Sequence, residues 1–467
     1  MKTSLSLTAA QMEQLKAHLF PGDGQEAVAI ALCGRVAGND THRLLIHKIV
    51  PVPYEYCSLR TPDRVSWSTD ILIPLLCEAA KRDMGIVKIH GHPENFPHHS
   101  DIDDEADRQL FPSIYGWMED DCPHASAIML PSGRIVGRTV SPSGEFEPLL
   151  TVKVVGDDLL FWYAADSSEQ VPEFARRTAQ AFGEATFAQL RRLKIAVVGC
   201  SGTGSWVIEQ LGRYGVGTLV LVDPDRVEEK NLNRIAGATM RDAQCLALKV
   251  DVARRNIERM GLGTQVITFP ESLFNPKVVK AIADCDVVFG CMDSIDGRWL
   301  LNRLATFYVL PYFDVGVKLV ADGKGGIEQI CGGVQYLQPG RSSLWGRGMF
   351  SLEQVRAAGM KRTNPLQYEQ QKKLNYIVGL PDDNRPAVIS VNMNCASLAV
   401  LELLARLHPY RDEPNSEYAS YTISFSQARL CSDREQEPCP SLVKNVGRGN
   451  IMPLLDNPEL SEVEVGV

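Results

Sequence analysis

Residues 194–223 read KIAVVGCSGTGSWVIEQLGRYGVGTLVLVD, and this stretch decides the architecture. A short apolar run, Ile195 to Val198, meets a glycine-rich turn, then a helical segment from Ser205 to Tyr214 and a second apolar run from Leu219 to Val222. Strand, turn, helix and strand in that order open a parallel, doubly wound sheet. A further helix across Ala243 to Met260 and strands at Val266 to Phe269 and Val287 to Cys291 continue the rhythm. The turn itself, Gly199-Cys200-Ser201-Gly202-Thr203-Gly204, joins a strand to a helix, where free backbone amides and the positive helix end favour phosphate.

Asp223 ends the second strand, where a dinucleotide fold keeps the acid that holds ribose hydroxyls about 20 residues after its glycines. A dehydrogenase shares this frame. Against that reading, Ser201 stands where nicotinamide-binding loops need glycine for the backbone to approach the pyrophosphate. Asp223-Pro224-Asp225, Asn231-Leu232-Asn233-Arg234, Lys249 and Cys291-Met292-Asp293 then gather phosphate-binding and metal-binding side chains that a dehydrogenase does not need. In this order the residues resemble the ThiF/MoeB and ubiquitin-activating enzyme superfamily over 174–335, with weaker agreement to 410. The resemblance implies a Rossmann-like domain that uses ATP and magnesium to adenylate the C-terminal glycine of a ubiquitin-like protein.

By the same resemblance Gly199, Gly202 and Gly204 shape the nucleotide loop, Asp223 holds the ribose, Asn231, Arg234 and Lys249 the triphosphate, and Asp293 the magnesium. Arg177 matches an arginine that the family supplies across a homodimer interface. The chemistry suits these residue types: a carboxylate attacking the α-phosphate brings two anions together, so cations must neutralise them and the departing pyrophosphate. Three departures stand out. The family's loop usually carries glycine where Ser201 stands, although Gly199, Gly202 and Gly204 are in place. Pro339-Gly340-Arg341-Ser342-Ser343-Leu344-Trp345 lies where many relatives place the first CxxC pair of a structural zinc, and this chain has no CxxC anywhere. The stretch Ile377 to Pro386, where relatives carry a thioester cysteine, has none either. Cys331, Cys431 and Cys439 remain candidates, with Cys439 in the polar run Glu437-Pro438-Cys439-Pro440 expected to be the exposed one.

The N-terminal part has its own motif. A helix over Thr8 to Leu19 precedes strands at Ala27 to Leu32, ended by Gly34, and at Leu44 to Val50. A helix follows at Ile71 to Arg82, capped by Thr69 or Asp70, then strands at Ile86 to Ile89, Ala125 to Leu130 and Arg134 to Val140. Directly after the strand at 86–89 come His90-Gly91-His92-Pro93, then Ser100 and Asp103. Two histidines at i and i+2 of a strand end point to one side, and a carboxylate opening the next helix completes a three-ligand zinc site with one position open. Zinc activates water for hydrolysis at neutral pH, and peptide cleavage also needs a proton shuttle and an oxyanion donor. Glu26 and Ser100 are the candidates.

This constellation resembles the JAMM (MPN-plus) metallopeptidases over about residues 20–145. The resemblance implies that His90, His92 and Asp103 bind zinc, that Glu26 is the general acid/base and that Ser100 steadies the oxyanion. His98 and His99 fall outside the ligand positions and read as solvated loop residues.

The chain of 467 residues exceeds what one core organises. The expected division is a JAMM α/β module over 1–150, a linker over 151–173, and a doubly wound adenylation domain over 174–467, entered by a polar helix near Glu169, Pro172 and Glu173. A net charge of -9 disfavours nucleic acid and anionic membranes, although Arg176-Arg177 and Arg191-Arg192 are local basic pairs. Twelve cysteines without a dense framework, and no signal-peptide core or apolar span of about 20 residues, place the expected compartment in the cytoplasm.

The combined expectation is a bifunctional enzyme. Its peptidase processes or removes a ubiquitin-like protein, and its adenylating module activates that protein's C-terminal glycine for conjugation, with a conjugating enzyme as a further partner. The alternative is activation of a sulfur-carrier protein for biosynthetic sulfur transfer. A third reading, a scaffold without catalysis, predicts lost ligands.

Overall fold

Val28 to Leu32 is apolar at every position because the strand it forms is covered on both faces. Ala29, Ala31 and Cys33 pack with Leu5, Leu15 and Leu19 on one side, whereas Val28, Ile30 and Leu32 pack with Leu72, Leu76, Phe111 and Ile114 on the other. The computed structural model describes residues 2–38, 40–165, 170–380 and 386–461. It divides into two units: Met1–Ser168 with Phe307–Val309 and Asn445–Ile451, and Glu169–Thr306 with Leu310–Lys444 and Met452–Val467.

The first unit contains β1 (Lys2–Thr8), β2 (Val28–Ala37), β3 (Thr41–Pro51), β4 (Cys57–Thr61), β5 (Arg64–Trp67), β6 (Gly85–Gly91), β7 (His124–Met129), β8 (Ile135–Val140), β9 (Phe146–Pro148), β10 (Thr151–Val155) and β11 (Leu159–Tyr163). Its helices are α1 (Ala9–Leu19), α2 (Leu72–Arg82) and α3 (Asp101–Met118). Nine strands make one mixed sheet in the order β11-β10-β1-β3-β2-β6-β7-β8-β9, and β4 and β5 form a separate hairpin.

Thr8 caps α1 in a reciprocal box with Gln11, and Ser68 caps the short turn leading into α2, the role expected of Thr69 or Asp70. Gly34 does not end its strand. Its amide donates to the Gly447 carbonyl at 3.1 Å, and an added Cβ would overlap the backbone of Gly447 and Arg448, so glycine marks a close chain approach inside β2. The expected linker is also corrected. Val152 and Val154 alternate with Thr151 and Lys153, so β10 joins β1 in parallel and β11 follows antiparallel, extending the sheet to Tyr163. Glu169 lies outside the described residues.

The second unit contains β12 (Lys194–Val198), β13 (Thr218–Val222), β14 (Gln265–Phe269), β15 (Val287–Gly290), β16 (Tyr312–Ala321), β17 (Ile327–Leu337), β18 (Ser420–Ser424) and β19 (Arg429–Asp433). Its helices are α4 (Arg176–Phe182), α5 (Glu184–Arg192), α6 (Gly202–Arg213), α7 (Met240–Gln244), α8 (Lys249–Met260), α9 (Pro276–Ala283), α10 (Ile295–Tyr308), α11 (Leu352–Thr363), α12 (Pro365–Lys373) and α13 (Ile389–Leu407).

Strand order β14-β13-β12-β15-β16-β17-β18-β19 is parallel as far as β16 and antiparallel beyond. Chain order reverses between β12 and β15, the switch point at whose carboxyl ends such sheets bind ligands. The single helix expected across Ala243 to Met260 is two. Thr239 and Asp242 cap α7 reciprocally, and Leu246 turns left-handed (φ 48°) before α8 restarts at Lys249. The polar helix after Pro172 likewise breaks at Gly183, where φ is 85°. Among the described residues no helix is long and apolar enough to cross a membrane.

Candidate functional sites

In the first unit His90 and His92 flank Gly91, the last residue of β6. His90 pairs in register with Val28 of β2 and Ile128 of β7, and the His92 amide donates to the Met129 carbonyl at 3.0 Å. These anchors aim both rings to one side. The two Nε2 atoms lie 3.0 Å apart, His90 Nε2 is 2.9 Å from Asp103 Oδ1, and His92 Nε2 is 3.6 Å from Asp103 Oδ2 and from Glu26 Oε1. Donors on a tetrahedral zinc stand roughly 3.3 Å from one another, close to the spacings of His92 to His90, Asp103 and Glu26 and of His90 to Asp103. Glu26, His90 and His92 all offer ligand atoms within 4.8 Å of one another, and all three are buried.

The surroundings push the two histidines in opposite directions. Burial pushes His90 below its ordinary pKa, toward the neutral form that ligates metal. Burial opposes charge on His92 as well, but Asp103, the Phe96 carbonyl and Glu26 outweigh it and raise its pKa. The Phe96 carbonyl holds His92 Nδ1 at 2.8 Å, which fixes the ring so that Nε2 faces the cluster. Burial raises the Glu26 carboxyl to about 7. Burial would raise Asp103 too, yet hydrogen bonds from His90 and His92 hold it well below the carboxylate range.

Ser100 caps α3: its Oγ accepts from the Asp103 amide at 3.2 Å and donates to Asp103 Oδ2 at 2.8 Å. All five motif residues thus converge. His99 is not solvated, as its place between motif positions suggested. Its ring stands edge-on to His90 at 6.3 Å, and burial lowers its pKa to about 3. Beside the cluster a groove of about 550 Å³ runs past Trp67, Leu72, Leu76, Ile102 and Trp117. No periodicity announces it, because α2, α3 and the β4-β5 hairpin each supply one wall.

In the second unit the glycine-rich loop sits at the switch point. Gly199 adopts φ 94°, and an added Cβ would lie 2.7 Å from the Cys291 carbonyl oxygen, so the loop hugs the end of β15. Asp223 closes it from the β13 side, its Oδ2 accepting from the Cys200 amide at 2.7 Å and its Oδ1 from the Asp225 amide at 2.9 Å. Burial raises the Asp223 pKa. Lys249 opens α8 with its Nζ 2.7 Å from Asp225 and 3.9 Å from Asp223. Arg234 lies against Gly202, and its guanidinium donates to the Lys230 carbonyl and to Asn233 Oδ1. Asn231 is buried, its Oδ1 accepting from the Glu228 amide at 3.0 Å. Asp293 is exposed beyond β15, and Arg177 is exposed on α4.

Asn392, absent from the expected set, enters from α13: its Oδ1 accepts from Thr203 Oγ at 3.0 Å, and it lies 3.1 Å from where a Gly202 Cβ would stand. No local signal points to it, since its partners are nearly two hundred positions upstream. Cys439 corrects the expectation of exposure. It is buried, its amide donating to the Arg341 carbonyl at 3.1 Å and its Sγ lying 3.2 Å from Ser441 Oγ. Cys331 is half-buried and Cys431 exposed. Of the stretch Ile377 to Pro386, residues 381–385 lie outside the described residues.

Around 338–347, Arg347 spends its donors on Ser342 Oγ (2.8 Å), Gln335 Oε1 (3.1 Å), the Tyr336 and Ala419 carbonyls, and Glu435 (3.1 and 3.2 Å).

The adenylyltransferase and sulfurtransferase UBA4 of Meyerozyma guilliermondii is 32% identical over 142 residues, 30% of this chain and 31% of that protein. Ubiquitin-like modifier-activating enzyme 5 of Culex quinquefasciatus is 29% identical over 173 residues, 34% of this chain and 40% of that one. The adenylyltransferase and sulfurtransferase MOCS3 of Drosophila virilis is 28% identical over 163 residues, 35% of each. The chain therefore spans between about a third and two-fifths of the length of these curated relatives. Among solved structures, E. coli MccB with ATP is 17% identical at a TM-score of 0.44, covering 59% of this chain and 76% of that one. Residues 174–441, which carry the loop, Asp223, Asn231, Arg234, Lys249 and Asp293, match the ThiF family, and the chain belongs to it.

Proposed function

We propose that the second unit adenylates the C-terminal glycine of a ubiquitin-like protein, and that the first unit is a JAMM-type zinc peptidase acting on the same carrier. The observation that carries the reading is the closure of the glycine-rich loop at the switch point by Asp223 and Lys249, in a ThiF-family unit. A carboxylate oxygen of the carrier attacks the α-phosphorus of ATP, the bond to the β-phosphate oxygen breaks, and pyrophosphate leaves. Loop amides and the α6 N-terminus receive phosphate, Asp223 holds the ribose, and Asn231, Arg234 and Lys249 compensate the triphosphate charge. Asp293 takes the magnesium ion. Arg177 comes from a second copy of the chain.

Support for the peptidase comes from the cluster of Glu26, His90 and His92, whose ligand atoms lie within 4.8 Å of one another, and from Asp103, which lies 2.9 Å from His90 and 3.6 Å from His92. His90, His92 and Asp103 would hold zinc, which supplies Lewis-acid activation of water and of the scissile carbonyl. Glu26 then moves the proton at its Oε1, and Ser100 orients Asp103, its hydroxyl serving the developing oxyanion only by leaving Asp103 Oδ2. The adjacent groove has room for the extended chain end of a carrier. Zinc-dependent removal of residues placed beyond a carrier's terminal glycine, abolished in Glu26→Gln, is the expected result. A chain that binds zinc but leaves such extensions intact would discard the peptidase.

ATP–pyrophosphate exchange that requires a glycine-terminated carrier tests the adenylating unit, and its absence with every such carrier points to a scaffold. A specific observation favours a second outcome, sulfur-carrier activation: Cys439 is buried, and relatives named as sulfurtransferases align with the same unit. Intact-mass spectrometry before and after thiol reduction separates the two. A reducible enzyme–carrier adduct supports conjugation, whereas carrier adenylate alone supports sulfur transfer.

A further inference from the structure

Beneath the histidine cluster lies a second set of buried charges. Side chains alternate along a strand, so Lys88 and His90 share one face of β6. Residues four apart stack on a helix, so Asp103 and Asp107 share one face of α3. Two strand residues advance roughly 6.6 Å and four helical residues roughly 6.0 Å, so two parallel rungs fit between the same two elements. The first rung is His90 Nε2 to Asp103 Oδ1 at 2.9 Å, and the second is Lys88 to Asp107.

A third element braces the second rung. Lys88, Ser126 and Arg138 are register partners across β6, β7 and β8, and Arg138 Nη2 reaches Asp107 Oδ2 at 2.7 Å. Arg138 also pairs with Asp104 and lies 3.7 Å over the Phe146 ring. Asp107 is 0% exposed, and its two oxygens go to different cations. A buried carboxylate in that position tolerates neither rotation nor sliding of its helix, because either motion leaves charge unpaired away from water.

We infer that Asp107, clamped between Lys88 and Arg138, is a positioning residue that sets the register of α3 on β6 and so holds Asp103 against His90 and His92. The inference rests on the metal-site reading proposed above. It concerns residues outside the ligand set, and it follows the general behaviour of groups that orient ligands, whose loss costs ten- to a hundredfold in metal affinity.

Zinc affinity of the full chain, by competition with a chromophoric chelator, tests it. His90→Ala serves as the site control and Leu7→Ala, a buried β1 residue, as a control for lost stability. Asp107→Asn is expected to weaken zinc binding at least about tenfold, with Leu7→Ala unchanged. Lys88→Arg, which keeps a cation on Asp107, should retain more affinity than Lys88→Gln. Wild-type affinity in Asp107→Asn overturns the positioning role and leaves the site standing. A wild-type chain that takes up no zinc, or one whose uptake survives His90→Ala, overturns both. If Asp107→Asn does not fold, Lys88→Gln, with Asp107 still held by Arg138, carries the same expectation and the same refutation.

Discussion

Gly204 shows how little space the glycine-rich loop leaves. A Cβ added there would overlap the Gly199 carbonyl oxygen, so Gly204→Ala must open the loop and displace its amides. Misplacement of this order costs about a hundredfold in rate. ATP–pyrophosphate exchange in Gly204→Ala should fall by that factor, and exchange at the wild-type rate would show that the loop does not hold the nucleotide. A second residue-scale consequence concerns acid. Burial, with Arg35 nearby, lowers His42 to about 4 and His124 to about 3, from 6.5. Both bind protons more weakly when folded, so the stability they contribute is complete above pH 6.5 and drains away as pH falls through 6.5 toward those values. Each contributes a slope of at most about 1.4 kcal/mol per pH unit in that window. The urea midpoint should therefore drop from pH 7 to pH 5, and drop less in His42→Gln/His124→Gln. An identical decline in both proteins would place the acid lability elsewhere.

At the scale of elements, the segment 338–347 gathers most of its side-chain hydrogen bonds on one guanidinium, with the Leu344 amide anchored to Asn302. Only 4% of the Arg347 side chain is exposed, and burial lowers its pKa while Glu435 supports the charge. Removing it takes the cation from half-buried Glu435, which keeps the Ser342 hydroxyl and the Gln436 amide, a change of up to about 3 kcal/mol. Arg347→Met should lower the thermal midpoint, Arg347→Lys should rescue little because the fork is lost, and Arg347→Met/Glu435→Met should recover part of the loss. A double-variant loss equal to the sum of the Arg347→Met and Glu435→Met losses would mean the pair is not coupled. This staple was not legible in sequence, where Pro339 to Trp345 showed only missing cysteines, since Glu435 lies far along the chain. For the same reason Cys439, in a polar run, read as exposed although Arg341 covers its backbone. By contrast β12, α6 and β13 were legible because apolar periodicity and the glycine turn are local signals. The left-handed Leu246 that splits α7 from α8 left no such trace, a leucine being an ordinary helix former.

At the scale of the molecule, both candidate sites stand where strands end: His90 at the close of β6, and Gly199, Asp223 and Asp293 after β12, β13 and β15. Their residue types were readable because each motif is short and ordered, whereas Asn392 and the groove walls depend on contacts between distant segments. One member of the proposed nucleotide site is expected from another chain. Arg177 and Asp293 are both exposed, so substituting either leaves the packing intact. If Arg177 serves a partner's site, Arg177→Ala and Asp293→Ala are each inactive alone, yet a mixed dimer contains one site with an intact Asp293 and an intact Arg177. Random re-pairing makes half of the dimers mixed, and half of their sites are complete, so exchange should recover to about a quarter of wild type. Recovery that tracks mixed-dimer formation by sedimentation assigns Arg177 to the partner's site. An inactive mixture in which mixed dimers are present confines Arg177 to its own chain.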